Sequence, residues 1–374
     1  MSLYWPADKG DVVTDGPRLH AFVIGVGDYD HLGLNVAKPA NLLNGIADLT
    51  ITTPAARRVA RWLETEYNNP ACPLGSIELL LSPGETLNRA DNTTVQVEKA
   101  TMAAIQGAFK DWYQRCNEHE GNIAFFYFAG HGINTISQFL LPADFGNPDE
   151  PDDWENCIDG TGLQSGMAKC KAKTQLFFFD ACRDAPISAL TSKNPHGKPL
   201  VTANFGDQAD VSADYLAASE GRKAYGRDGE ETYFCKALMM CLDGAAARKA
   251  GPKWSIDTAM LGTALAAVVD ILAKKENQPL SCDCPAQKPV PLHFPRKAQV
   301  LLKVDSNDPQ RSAEADIEVH QGQIVYRSQP GEARPWTESV DPGDTRVEIR
   351  YQSFPDEAHD DRLMPPTYEL DLPI

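Results

Sequence analysis

Hydrophobic and polar positions along this chain follow two regimes. From Arg18 to about Phe294, short continuous apolar runs alternate with segments whose apolar residues recur every three to four positions. Continuous runs of strand length fit strands buried on both faces; the longer spacing fits helices with one buried stripe. Arg18-Leu-His-Ala-Phe-Val-Ile-Gly-Val-Gly27, Ser76–Ser82, the run from Ile123 to His131, Thr174–Asp180 and Tyr215–Ser219 read as strands. Thr53 reads as the cap of a helix with Pro54 at its first position and a stripe of Ala56, Val59, Ala60 and Leu63. Thr93-Thr-Val-Gln96 has capping-box spacing and is expected to open the helix carrying Ile105, Phe109, Trp112 and Cys116. Two more helices are predicted over Thr232–Leu242 and Ile256–Lys275, a hairpin-like piece over Gln138–Asp144, and a closing strand over Lys288–Phe294. The stretches 28–53, 147–155 and 184–208 are polar or carry Pro and Gly, and read as loops. Strands alternating with helices predict an α/β fold with a mostly parallel sheet flanked by helices.

Past Pro295 the pattern changes to strict alternation. Val347, Ile349 and Tyr351 face one way with Glu348 and Arg350 opposite, and Tyr368, Leu370 and Leu372 repeat this around Glu369 and Asp371. A small antiparallel all-β domain, sandwich-like, is expected there. The chain is accordingly divided into a first domain over 1–296 and a second over 297–374. The second holds eight Lys/Arg and sixteen Asp/Glu, a net of 8 − 16 = −8.

Composition narrows the function classes. A formal charge of −17 over 374 residues argues against a nucleic-acid or anionic-membrane surface, and no run is long enough to span a bilayer. Neither nucleic acid nor membrane is expected as a partner. Nine cysteines, scattered and odd in number, with no secretory signal ahead of them, read as reduced thiols in the cytoplasm. Cys282-Asp-Cys284 has no second pair or His at zinc spacing. The acidic residues Asp149, Glu150, Asp152, Asp153 and Glu155 lack an EF-hand order and read as a solvated loop. Gly25-Val-Gly27 holds Asp30 where a dinucleotide turn needs its third glycine, and no Walker pattern occurs. No metal and no cofactor is expected.

The candidate chemistry sits where two apolar strands stop. Ile123-Ala-Phe-Phe-Tyr-Phe-Ala-Gly ends in His131-Gly132, and Leu176-Phe-Phe-Phe-Asp180-Ala ends in Cys182-Arg183. Sites in open α/β sheets gather at strand carboxyl ends. A thiol needs a base to become a nucleophile, and an imidazole beside it is that base. The alternatives are a buried core cysteine and a turn histidine satisfied locally.

These two blocks resemble those of the caspase/metacaspase clan of cysteine peptidases, and within it the bacterial caspase-like proteases. The spacing, 182 − 131 = 51, matches the roughly 50 residues between His and Cys in caspases. Ala181 and Arg183 fit the caspase signature, while Asp180 is the metacaspase-like choice. The resemblance implies that Cys182 is the nucleophile, that His131 is the base and later the acid, and that the N–H groups of Gly132 and Cys182 form the oxyanion hole. It implies that Asp180 lines the pocket for a basic side chain before the scissile bond (P1), and that Ser219 and Glu220 lie in a loop that pairs with the peptide. Metacaspases add an acidic residue at the first helix; here Thr52-Thr53-Pro54 stands there, so the second carboxylate is either missing or supplied by the 28–53 loop, where Asp28, Asp30 and Asp48 are candidates. The stretch 183–208, with Lys193 and Lys198, corresponds to the inter-subunit linker and is the expected place of self-processing. The implied activity is a cysteine endopeptidase acting on protein or peptide substrates, cutting after Arg or Lys, in regulated proteolysis such as bacterial defence or cell death. The alternative is a caspase-fold interaction module, a pseudoprotease that acts by binding. The C-terminal domain is expected to recruit an activator or another partner.

Overall fold

The computed structural model describes residues 2–6, 15–32, 46–185, 195–201, 209–285, 287–306, 308–329, 332 and 334–372. They group into two compact units, Met1–Lys236 with Ser281–Val290, and Ala237–Leu280 with Pro291–Ile374. The predicted division at 296 placed all helices with the first domain; the contacts group 237–280 with the C-terminal strands instead.

The first unit is built on a six-stranded sheet. Its strands are β1 (Leu3–Trp5), β2 (Leu19–Val26), β3 (Leu74–Ser82), β4 (Ile123–Gly130), β5 (Thr174–Ala181) and β6 (Val211–Leu216), in the order β1-β3-β2-β4-β5-β6. All neighbours are parallel except β1, which adds an antiparallel edge to β3. The predicted α/β class with a mostly parallel sheet is what forms. Every residue of β2 and β4 is buried, which is why these strands are written in continuous apolar runs.

Helices cover the sheet. In α1 (Thr52–Thr65) the stripe Ala55, Ala56, Val59, Trp62 and Leu63 is buried, and α2 (Met102–Cys116) buries Ile105, Phe109, Trp112 and Cys116. Two caps differ from expectation. Thr94–Val97 is a strand paired with Glu85–Asn88, because Val95 and Val97 alternate inward while Asp91 binds the amide and hydroxyl of Thr93 in a turn. Thr101 caps α2 instead, its hydroxyl accepting from the Ala104 N–H. At α1 the cap is Ile51, and Thr52 donates its hydroxyl to the Val26 carbonyl, tying the helix to the end of β2. A third helix, α3 (Gly160–Met167), is capped by Asp159.

Aromatic ladders fix the register of the central strands. Phe125, Phe178 and Tyr215 stack across β4, β5 and β6 on one face, at 4.7 and 4.6 Å between ring centroids. Phe22, Phe126 and Phe179 meet edge to face on the other. Shifting one strand by a residue would turn each ring to the wrong face, so the register is strongly specified. It pairs Asp180 with Ala129 and Ala181 with Gly130.

In the second unit, α4 (Thr258–Glu276) buries Leu261, Leu265, Val268 and Leu272. The strand expected to close the main sheet, within 288–294, pairs elsewhere: Pro291–His293 lies against Lys253–Asp257. Beyond it come β7 (Val300–Ser306), β8 (Asp316–Gln321), β9 (Ile324–Arg327), β10 (Trp336–Val340), β11 (Gly343–Arg350), β12 (Glu357–Leu363) and β13 (Thr367–Leu372). They form two sheets, β10-β7-β13 and β9-β8-β11-β12. Val300, Leu302, Val304, Ile317, Val319, Trp336, Val347 and Ile349 share one core between them. One pair, β7 with β13, is parallel where an all-antiparallel domain was expected.

Candidate active site

The register of β4 and β5 brings the two chemical residues together. Gly130 and Ala181 are paired, so His131 and Cys182 leave adjacent parallel strands at the same level. Gly132 closes the gap. A Cβ there would lie 2.6 Å from the Cys182 carbonyl oxygen and 2.9 Å from the Ala181 Cβ, so no larger residue fits without moving backbone.

The imidazole is oriented by backbone. His131 Nε2 lies 2.8 Å from the Ala47 carbonyl oxygen. A carbonyl only accepts, so Nε2 carries the proton and Nδ1 is the basic nitrogen of the neutral ring. The segment that delivers Ala47 is pinned to the end of β2. Asp48 accepts from the Tyr29 N–H at 2.9 Å, and the Leu49 N–H donates to the Gly27 carbonyl at 2.7 Å. Gly27 permits this approach, since a Cβ there would meet the Leu49 carbonyl at 2.5 Å. Tyr29 holds the other side of the histidine. Its hydroxyl accepts from the His131 backbone N–H at 2.7 Å, and its ring packs on the imidazole at 4.9 Å.

Cys182 is partly buried, and its sulfur accepts from the Ala224 N–H at 3.4 Å. Burial pushes the thiol above its ordinary range, opposed by the Ala224 bond. Burial likewise pulls His131 below its ordinary value, opposed by the Ala47 carbonyl and by Asp48. Both shifts favour the neutral forms, thiol and imidazole, over the charged ones.

Asp180 lies in the interior, 1% exposed. It accepts from the Tyr127 hydroxyl at 2.6 Å and from the Thr232 hydroxyl. Its Oδ1 has no hydrogen-bond partner among the described residues, and burial pushes the carboxyl up to about 6. Two of the three candidates for a second carboxylate are otherwise engaged: Asp30 pairs with Lys99, and Asp48 holds Tyr29.

The loop with Ser219 and Glu220 runs beside Cys182 and Arg183. The Gly221 N–H donates to the Arg183 carbonyl, and the Arg183 N–H to that of Arg222. The Ser219 N–H is held by Ser281, and Asp283, between the two half-buried cysteines 282 and 284, pairs with Arg183 at 3.1 Å. In the acidic loop Asp152 caps the turn at Trp154, and Glu155 pairs with Lys198 at 2.5 Å. Of the expected processing segment, Lys193 lies outside the described residues, and Lys198 is bridged to Ile158. No helix among the described residues is long and apolar enough to cross a membrane.

Sequence reasoning missed Tyr29, Ala47, Gln138 and Ala224. Gln138 donates from Nε2 to the Cys182 carbonyl at 3.1 Å. Ala47 and Ala224 act through backbone groups, which no side-chain pattern marks. Tyr29 gave one usable signal, an aromatic residue three positions after the end of an all-buried strand.

A family profile described as Caspase domain matches residues 18–291, more than half of the chain. A protein of Sinorhizobium fredii described as uncharacterized is 27% identical over 251 residues, 64% of this chain and 71% of that protein. A protein of a Desulfuromonadales bacterium described as a probable protease is 28% identical over 153 residues, 38% of this chain and 18% of its own length. Among solved structures, caspase-1 from Spodoptera frugiperda is similar with a TM-score of 0.45 and 11% identity, over 79% of this chain and 100% of that one. A protein of Geobacter sulfurreducens has a TM-score of 0.41 and 12% identity, over 74% of this chain and 93% of that one.

Proposed function

The chain belongs to the caspase-domain family of cysteine peptidases, and from that premise we propose that it is an endopeptidase working through Cys182 and His131 and cutting after Arg or Lys. The observation that carries the reading is the paired register of Gly130 and Ala181 with Nε2 of His131 occupied, which leaves Nδ1 for the thiol.

In this mechanism Nδ1 takes the thiol proton as sulfur attacks the scissile carbonyl, and returns it to the leaving amine. The oxyanion forms beside the N–H groups of Gly132 and Cys182, which are fixed before substrate arrives. Water then attacks the thioester with His131 again as base. The side chain before the scissile bond points to Asp180, whose unpaired Oδ1 suits a guanidinium or ammonium. Regulated proteolysis of a few protein substrates, in defence or cell death, is the biological setting that fits such a peptidase, with the C-terminal unit as the place for an activator. The test is a fluorogenic Arg-P1 amide together with a thiol-reactive peptide probe. Turnover and labelling that both vanish in Cys182→Ala support the peptidase; a partner-binding module with a vestigial dyad would show neither in the wild type.

Two expected outcomes follow from the direction of these shifts. The acid limb of kcat/KM reports loss of the neutral base, so half-maximal rate falls below pH 6.5, the ordinary value that burial lowers. Alkylation of Cys182 by iodoacetamide should keep rising through the alkaline range, because the thiol sits above its ordinary value. A rate of alkylation already level at pH 7 would show a preformed thiolate and overturn the neutral pair.

Tyr29→Phe removes the acceptor of the His131 N–H while keeping the ring. We expect kcat to fall about fivefold with KM little changed, since a lost net hydrogen bond costs roughly 1 kcal/mol and acts on the base alone. Steady-state kinetics that show the change in KM would place Tyr29 at the substrate instead.

A further inference from the structure

Three buried side-chain atoms close to the nucleophile have no hydrogen-bond partner among the described residues: Nε of Arg183, Oε1 of Gln138 and Oγ1 of Thr135. All three residues line one cleft of about 290 Å3. Buried polar groups are rarely left unmatched, so three in the wall of one cleft mark it as a polar wall whose bonds are completed by water or by a group that enters as the wall opens. Gln138 is 6% exposed, and its amide already donates to the Cys182 carbonyl, which ties the cleft wall to the peptide unit of the nucleophile.

We propose that this cleft is the subsite for the residue after the scissile bond, P1′, and that it selects Lys or Arg there. The inference rests on the peptidase reading above. Position comes from strand geometry. Asp180 and Phe179 are consecutive on β5, so their side chains leave on opposite faces, and Phe179 lines the cleft. In an extended peptide crossing the strand ends, successive side chains also alternate. A P1 side chain directed to Asp180 sends P1′ to the face of the cleft.

Chemistry comes from the charges. Asp214 and Glu220 both line the cleft, and neither has a cationic partner within ion-pair distance among the described residues. Asp214 accepts from the neutral amide of Gln164 at 2.6 Å, and burial together with Asp283 pushes its carboxyl up to about 6, opposed by the charge of Arg183. Arg183 is the one cation on the wall, and its charge is already matched by Asp283. Acceptors therefore dominate: two carboxyls and the Gln138 oxygen. Ile136, 85% exposed, and Leu216 offer apolar surface to a long aliphatic stem. A lysine or arginine buries its stem on such surface while the head meets carboxylates.

The experiment uses two internally quenched peptides that differ only at P1′, Lys against Glu, and a coumarin amide with the same P1 and no residue beyond it. The full chain should cleave the Lys peptide about tenfold more efficiently than the Glu peptide, the size of one partly screened charge pair. Glu220→Lys, a change at an exposed position, should reverse the order, and Asp214→Asn should bring the ratio towards one. Coumarin release with equal cleavage of both peptides would overturn the subsite and leave the peptidase reading standing. Failure of all three substrates would overturn the peptidase reading and the subsite with it.

Discussion

Cys182→Ala is expected to lower kcat by a factor on the order of 10⁴ or more, with the protein still folded. Removing the attacking atom leaves only binding and oxyanion stabilisation, and losses of this size follow removal of a nucleophile in enzymes of similar logic. The thiol is partly buried at a strand end, and its one recorded donor is the Ala224 N–H. Its loss should move the melting temperature by no more than a few degrees. His131→Ala should cost nearly as much, because the thiol lies above its ordinary range and needs a base. The double variant should be no worse than either alone, since the two act as one unit. Single-turnover kinetics with circular dichroism on the same samples check both halves. Residual turnover within a factor of about ten of wild type in a folded Cys182→Ala protein would exclude this cysteine.

The second large effect is expected at Asp180. Replacing it with Asn should cost about 100-fold on an Arg-P1 substrate and only a few-fold on a Leu-P1 substrate. A charge-assisted pair in a dry site contributes roughly 2–3 kcal/mol, and an apolar side chain never makes it. Stability supplies an independent readout. The carboxyl is raised from 3.8 to about 6 by burial, so the folded protein binds the extra proton. This favourable contribution is present in full below about pH 4 and is lost as pH rises through about 6. A shift of about two units corresponds to roughly 3 kcal/mol, an upper figure for a group that keeps two hydroxyl donors. Denaturant titrations of wild type should weaken between pH 4 and 6, and Asp180→Asn should flatten that part of the profile. A basic P1 ligand supplies the missing counter-charge, so its binding should release a proton near pH 6. Equal losses on both substrates in the Asn variant would reduce Asp180 to a structural residue beneath the site.

The linear pattern of this chain determined the sheet and the two strand ends that carry the candidate dyad. Parallel strands buried on both faces need continuous apolar runs, so Phe125 to Phe128 and Leu176 to Phe179 mark themselves, and the polar residue that ends each run marks the rim. The spacing of His131 and Cys182 and the glycine between strand and loop were legible for the same reason. The helix starts were less so. Thr93 to Gln96 has the letters of a capping box, but local side-chain bonds at Asp91 and the alternation of Val95 and Val97 gave a hairpin. Propensity at four residues is a weak term beside pairing and burial. Tertiary structure alone decided how the site is set. The Ala47 carbonyl fixes which imidazole nitrogen is basic, the Ala224 N–H touches the sulfur, and the Tyr29 hydroxyl holds the His131 amide. Two of these are backbone groups present in every residue, so no letter of the sequence distinguishes them. The protonation of the pair and of Asp180 was likewise invisible, because desolvation depends on what surrounds a group in space and not on its neighbours in the chain.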